Sequence, residues 1–277
     1  MNADHDYKIG HDHIVCEDYS LSGVVEENGA YAIVCDGCSA SPDVDFGARI
    51  LALSAKETLA KVARTEATRP DGKNTLTYEE FGSQVLLRAE SIFPYFPSLH
   101  PQFLDSTLLI TWVKQGVMKA YLYGDGAFFH KVDNDIVCFH VSMSTNAPDY
   151  LSYGLDKQRR DGYDTLKGVK TVYSCVMTEG TQVLTNEKTE TVPPFSPVEI
   201  TSNVKAGDII AVCSDGINSF RQANSLPIHW RELVNEFIGY KNFEGVFAKR
   251  RFAAFKRKCQ KEGMVHSDDI SVASIVI

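Results

Sequence analysis

The apolar positions of this chain fall into two rhythms. Over 45–66, "DFGARILALSAKETLAKVARTE", Phe46, Ile50, Leu53, Leu59 and Val62 recur at helical spacing with charges on the other face, which predicts an amphipathic helix. A second helix is expected over 78–92, closed by "FPYFP", because proline cannot continue it. Shorter apolar runs predict strands at 14–21 and 30–36, and two more within 106–130, joined at Lys114-Gln115-Gly116 and ended at Gly124-Asp125-Gly126. Further strands are expected at 135–142, 171–177, 180–185, 198–202 and 208–214. A helix-rich segment, 228–262, precedes a closing strand in "DDISVASIVI". Residues 67–77 read as a loop, and the polar, turn-rich stretch 144–170 as an excursion from the core. Strands grouped between long helices, with no internal repeat and no linker, predict an α+β fold with antiparallel sheets in one domain.

Composition sharpens this picture. The 277 residues are 44% hydrophobic and 23% charged, enough for a sizeable core, and the net charge of −8 argues against a general nucleic-acid or anionic-membrane surface. The start "MNADHDYKIGHDH" has neither the basic residues nor the apolar run of a signal peptide, so a cytoplasmic protein without a membrane span is expected. The seven cysteines are odd in number and scattered, which fits reduced thiols better than a disulfide framework.

The candidate chemistry lies where strands end. "AIVCDG" gives Asp36-Gly37, "AYLYGDG" gives Asp125-Gly126, "IIAVCSDG" gives Asp215-Gly216, "HSDDISV" sets Asp268 and Asp269 before a strand, and "CEDYS" adds Glu17 and Asp18. Carboxylates gathered on one rim repel one another, so such a cluster is stable when cations occupy it. All-oxygen ligands select Mg²⁺ or Mn²⁺, and a pair of such ions holds a bridging hydroxide for in-line attack on a phosphate. Cys35 and Cys38 offer a rival reading, a Cys-x-x-Cys redox or zinc pair, but no second Cys/His pair at zinc spacing accompanies them.

These motifs resemble those of the metal-dependent protein phosphatases of type 2C. "CEDY" (16–19), "VCDG" (34–37), "DSTLL" (105–109), "YGDGAFF" (123–129), "CSDGI" (213–217) and "SDDISV" (267–272) follow the family's order over nearly the whole chain. The resemblance implies a four-layer α-β-β-α sandwich, two antiparallel sheets flanked by helices, forming a single phosphatase domain over 1–277. It further implies that Asp36 bridges two metal ions, that Glu17 and the Gly37 carbonyl serve one, and that Asp215 and Asp268 hold the other. Asp125 would lie beside a third, weaker ion, and Asp18 and Asp269 would support the ligands. The activity implied is hydrolysis of phosphoserine and phosphothreonine in proteins, with a cognate kinase as the opposing partner and a monomer as the working unit. The excursion at 144–170 takes the place of the family's variable flap, which would choose the substrate.

The chain also departs from the pattern. His13 stands where the family places a phosphate-binding arginine, Asp105 stands for a glycine, Cys38-Ser39 for Gly-Gly, and Gly126-Ala127 for Ser-Arg. As a phosphate contact, histidine would be weaker and pH-dependent. A phosphatase-like binding module without turnover is the alternative these departures motivate. "KRRFAAFKRKCQK" (249–261), with seven Lys or Arg and no acid, reads either as a docking face or as a solvated helix with Phe252 and Phe255 turned inward. The histidines and acids of the first thirteen residues read as a solvated start plus one rim histidine.

Overall fold

The computed structural model describes residues 1–25, 29–67, 76–145, 147–166, 168–179 and 184–277, with backbone alone for 63–67. Among these residues, two antiparallel sheets stack face to face. The larger runs in the order β1 (Asn2–Lys8), β14 (Ile270–Val276), β11 (Ile209–Cys213), β6 (Gly126–Val132), β7 (Asp135–Met143), β8 (Lys170–Thr178) and β9 (Leu184–Val192). The smaller runs β10 (Glu199–Asn203), β5 (Val117–Tyr123), β4 (Leu108–Lys114), β3 (Gly29–Cys35) and β2 (Tyr19–Val25). A short ribbon, β12 (Phe220–Arg221) with β13 (Val265–His266), stands apart. Helices α1 (Val44–Ala67) and α2 (Tyr78–Glu90) cover the outer face of the smaller sheet, and α4 (Trp230–Ile238) and α5 (Phe247–Glu262) cover that of the larger. A short helix α3 (Lys157–Thr165) lies in the 144–170 segment.

Side-chain alternation explains the layering. Along β3, Ala30, Ala32 and Val34 point to the inter-sheet core, where they meet Leu109 and Leu122 of their own sheet and Phe128, Ile210, Val212 and Ile275 of the other. Ile33 and Cys35, one residue out of phase, pack under α1 and α2 with Leu51, Ala52, Phe81 and Val85. Both faces being covered, the whole strand is buried and reads as an unbroken apolar run. On the far side, Phe129, Ala211 and Val272 pack against Leu233, Phe237, Phe252 and Phe255. Phe252 and Phe255 thus face inward while the exposed lysines and arginines of α5 face solvent.

Several expectations change. The strand foreseen at 14–21 begins only at Tyr19, because the preceding turn folds around the Asp269 carboxylate, which takes the backbone N–H of Gly10 and of Glu17. The polar start is strand β1, paired with β14 from Asn2↔Val276 to Lys8↔Ile270 rather than free in solvent. Its buried Asp4 accepts from Ala248 N at 2.6 Å and from Lys249 N at 3.3 Å, capping α5, whose own N-cap Val246 offers no side-chain bond. On α1 the face toward the sheet is Val44, Ala48, Leu51, Ala52 and Ala55, whereas Leu53 is exposed; the alanines let helix and sheet approach closely. Gly126–Val132 is a strand of its own, set off by the turn at Gly124, whose φ of +92° suits glycine. The strand expected at 180–185 lies in part outside the described residues (180–183), as does most of the 67–77 loop. No helix among the described residues is long and apolar enough to cross a membrane.

Candidate metal centre

Antiparallel alternation brings the starts of β2, β4, β6 and β14 and the ends of β3, β5 and β11 to one edge of the sandwich. The sequence puts an acid at most of these tips. Glu17 and Asp18 precede β2, Asp36 follows β3, Asp125 sits between β5 and β6, Asp215 follows β11, and Asp268 and Asp269 precede β14.

The tips are tied together by backbone bonds. Asp36 N donates to Thr107 Oγ1 at 3.1 Å and Thr107 N returns a bond to Asp36 O at 2.8 Å, while Gly37 N donates to Glu17 O at 3.3 Å. Asp18 is buried, and its Oδ2 accepts from Ser214 Oγ at 2.7 Å; Ser214 Oγ in turn accepts from Ser271 N at 3.0 Å. Gly216 is required where the β11 tip meets Asp269, since a Cβ there would lie 1.7 Å from the Asp269 carbonyl oxygen. Asp269 accepts from Gly10 N at 2.7 Å and Glu17 N at 2.5 Å, so it anchors the turn that carries His13 and Glu17. Ser39 Oγ donates to Glu17 Oε2 at 2.5 Å.

Crowding is visible in the acidities. Burial raises Asp36 well above the usual carboxylate range, and the charges of Asp18 and Asp215 push it further. Asp125 is raised by burial and by Asp215, and Asp268 likewise. Asp18 is pushed up to about 7 by burial, against the Ser214 hydrogen bond that favours its anion. Among the described residues no lysine or arginine lies within ion-pair reach of Asp36, Asp125, Asp215 or Asp268. Buried Asp18 Oδ1 has no hydrogen-bond partner. A hard divalent cation fits this donor set, because it supplies the charge that the protein withholds.

His13 is drawn into the cluster. Its Nε2 lies 3.2 Å from Asp268 Oδ1, and its Nδ1 lies 3.2 Å from Asp269 Oδ2 and 3.6 Å from Glu17 Oε2. Cys35 is buried under α1, where burial holds its thiol well above its ordinary pKa, and Cys38 N donates to Asp105 O at 2.8 Å; all seven cysteines are free thiols.

Further residues brace these tips, in roles that local spacing does not encode. Asp105 accepts from Ser41, from Ser152 and, through both oxygens, from Arg159 Nη2 at 2.9 and 2.7 Å, which latches α3 to the loop after Asp36. His140 stacks on Trp230 and bonds Asn218 at 3.2 Å, steadying the turn that starts at Asp215. The serine of Ser-Asp-Gly and the serine after Asp269-Ile270 were the available signals for the Asp18 network.

The fold is similar to that of PppA, a regulatory component of the type VI secretion system of Pseudomonas aeruginosa, at 15% identity over 99% of this chain and 97% of that one (TM-score 0.51). It is also similar to the phosphatase domain of SpoIIE from Bacillus subtilis solved with a fragment of its regulatory domain, at 13% identity over 99% and 63% (TM-score 0.52). The catalytic domain of the serine/threonine phosphatase PstP, solved with two manganese ions, matches at 14% identity over 99% and 97% (TM-score 0.49). Among curated proteins no sequence relative is found. The family pattern of protein phosphatase 2C matches residues 8–245, which takes in every strand-tip acid except Asp268 and Asp269; the chain belongs to the protein phosphatase 2C family.

Proposed function

We propose that this protein is a metal-dependent serine/threonine phosphoprotein phosphatase. The observation that carries the reading is a set of carboxylates from widely separated segments, meeting on one edge with no lysine or arginine among the described residues to balance them. Glu17, Asp36, the Gly37 carbonyl, Asp215 and Asp268 would hold two Mg²⁺ or Mn²⁺ ions, with Asp125 beside a third. When bound, such ions lower the pKa of a water and neutralise charge on the transferring phosphoryl group. The chain's own residues position this chemistry. Thr107 fixes the backbone at Asp36, Ser214 orients Asp18 behind it, and Asp269 holds the Glu17 turn in place.

Phosphoserine and phosphothreonine proteins are the proposed substrates, with a kinase as the opposing partner. The 144–170 segment borders the site: Tyr150 lies close enough to Cys38 and to the charges of Asp36 and Asp125 for its hydroxyl to be raised well above its ordinary pKa, first by burial and then by them. That position suits a choice among phosphopeptides. The test is hydrolysis of p-nitrophenyl phosphate and of a phosphothreonine peptide with Mn²⁺, with Mg²⁺ and with EDTA. Turnover abolished by EDTA is expected. Equal turnover in EDTA would remove the metal mechanism, and no turnover with metal bound would favour a phosphatase-like binding module.

A further inference from the structure

Helix α5 carries seven cations between Lys249 and Lys261, and few of them have a partner in the chain. Glu236 of α4 takes two, Arg251 at 2.8 Å and Lys258 at 2.7 Å. Arg250 donates to the backbone carbonyls of Asn242 and Glu244. Among the described residues, Lys249, Lys256, Arg257 and Lys261 make no ion pair. These last four and Arg250 are all exposed. With 3.6 residues to the turn they fall on one side in two parallel rows, Lys249-Ala253-Lys256-Gln260 and Arg250-Ala254-Arg257-Lys261, and the half-buried alanines stand side by side between the charges.

Helix stability does not account for these cations. Lys249 and Arg250 occupy the first turn, where the helix dipole favours acids and none stands; Asp4 of β1 caps that end from outside. Arg257 and Lys261, four residues apart, repel each other. Phe247, Phe252, Phe255 and Cys259 already bury the inner face, so the packing of α5 asks nothing of the outer one. The outer face holds like charges together that the chain's own acids leave unmatched.

We propose that this face of α5 is a docking surface for an acidic segment of a partner protein. Aspartates and glutamates of the segment would pair with both rows of cations, and the alanines between them let its backbone come close. The net charge of −8 already includes the seven cations, so the rest of the chain is strongly acidic and repels a polyanion that runs past the helix, as a nucleic acid or an anionic bilayer does. A bilayer also finds no apolar foothold, since the phenylalanines of α5 all face inward. None of these residues belongs to the strand-tip edge, so the inference stands apart from the metallophosphatase reading.

The test is fluorescence anisotropy of the full chain with a labelled Glu/Ala peptide of about the length of α5. A Gln-for-Glu copy and a single-stranded oligonucleotide are run beside it, with phosphatidylserine vesicles read by co-sedimentation. Expected is micromolar binding of the acidic peptide alone. Lys249→Glu, Lys256→Glu and Arg257→Glu together should weaken it about tenfold or more, as should raising salt from about 50 to about 300 mM, while the melting temperature of the variant holds or rises. The same reversal at the exposed Lys157, Lys188 and Lys241 should leave binding within about twofold. If the α5 reversal fails to fold, glutamine at the same three positions is read instead. Equal weakening by both triple variants, equal binding of the Gln copy, or no binding at low salt overturns the proposal. Tighter binding of the oligonucleotide or the vesicles overturns it in favour of that partner.

Discussion

Two sets of buried acids in this protein make opposite use of the same burial. Beneath the 144–170 segment each acid has a basic partner from the chain itself: Asp149 pairs with Lys170 at 2.5 Å, both almost fully buried, and Asp105 pairs with Arg159. At the strand-tip edge, Asp36 and Asp125 are crowded by further acids and their acidities fall accordingly. The first set is closed, and its charges serve to pin a segment in place. The second is open: among the described residues no lysine or arginine lies within ion-pair reach of it. Burial of a charge is thus no sign of function by itself; what separates the two regions is whether the counter-charge is built in.

The contrast can be broken by mutation. Asp36→Asn removes a shared ligand at nearly constant volume, and turnover should fall by about a thousandfold while circular dichroism and metal-free melting temperature hold or improve. A variant keeping the wild-type rate would mean that the open set is not the working site. Lys170→Met should instead destabilise the fold by about 3–5 kcal/mol, read by urea unfolding, because it strands the Asp149 charge. Adding Asp149→Asn, which keeps an acceptor for Phe195 N, should recover much of that loss; if it does not, the pair is not the closed unit described.

Acidity sharpens the contrast further. Carboxyls raised in the folded state bind protons that the unfolded chain has already released, so their contribution to stability is full below about pH 4 and is lost as pH rises through about 7, where Asp18 titrates. The metal-free protein should therefore melt higher at pH 5.5 than at pH 7.5, and saturating Mn²⁺ should shrink the difference. A flat profile without metal would count against burial-raised carboxyls at the edge. Cys38→Ser, outside both sets, should shift stability by no more than about 0.5 kcal/mol and leave turnover near wild type; a large loss of either would reopen the cysteine pair.

The strands that line the core were legible in the sequence where both faces are apolar, as in "AIVC", or where a tight turn announces a hairpin, as at Gln115-Gly116. Asp36, Asp125 and Asp215 were legible because Asp-Gly follows an apolar run and recurs, and Glu17, Asp18, Asp268 and Asp269 because an acidic pair stands ahead of an apolar run. β1 was not, since "NADHDYK" has no apolar period and takes its strand form from pairing with β14 across the length of the chain. The buried stripe of α1 was misread because alanines, which carry little apolar surface, face the sheet. The latches at Asp105 and His140 depend on partners dozens of residues away, and no local spacing encodes them.

Pairing of β1 with β14 also has a meaning in time. His13 and Glu17 leave the ribosome some 250 residues ahead of the Asp268 and Asp269 carboxylates they face, about ten to fifty seconds at ordinary synthesis rates. Until then neither the β1 edge nor the His13 turn has its partner. A nascent chain that stops short of β14 carries Glu17, Asp18, Asp36, Asp125 and Asp215 without Asp268 and Asp269, so the edge is complete only when β14 is in place.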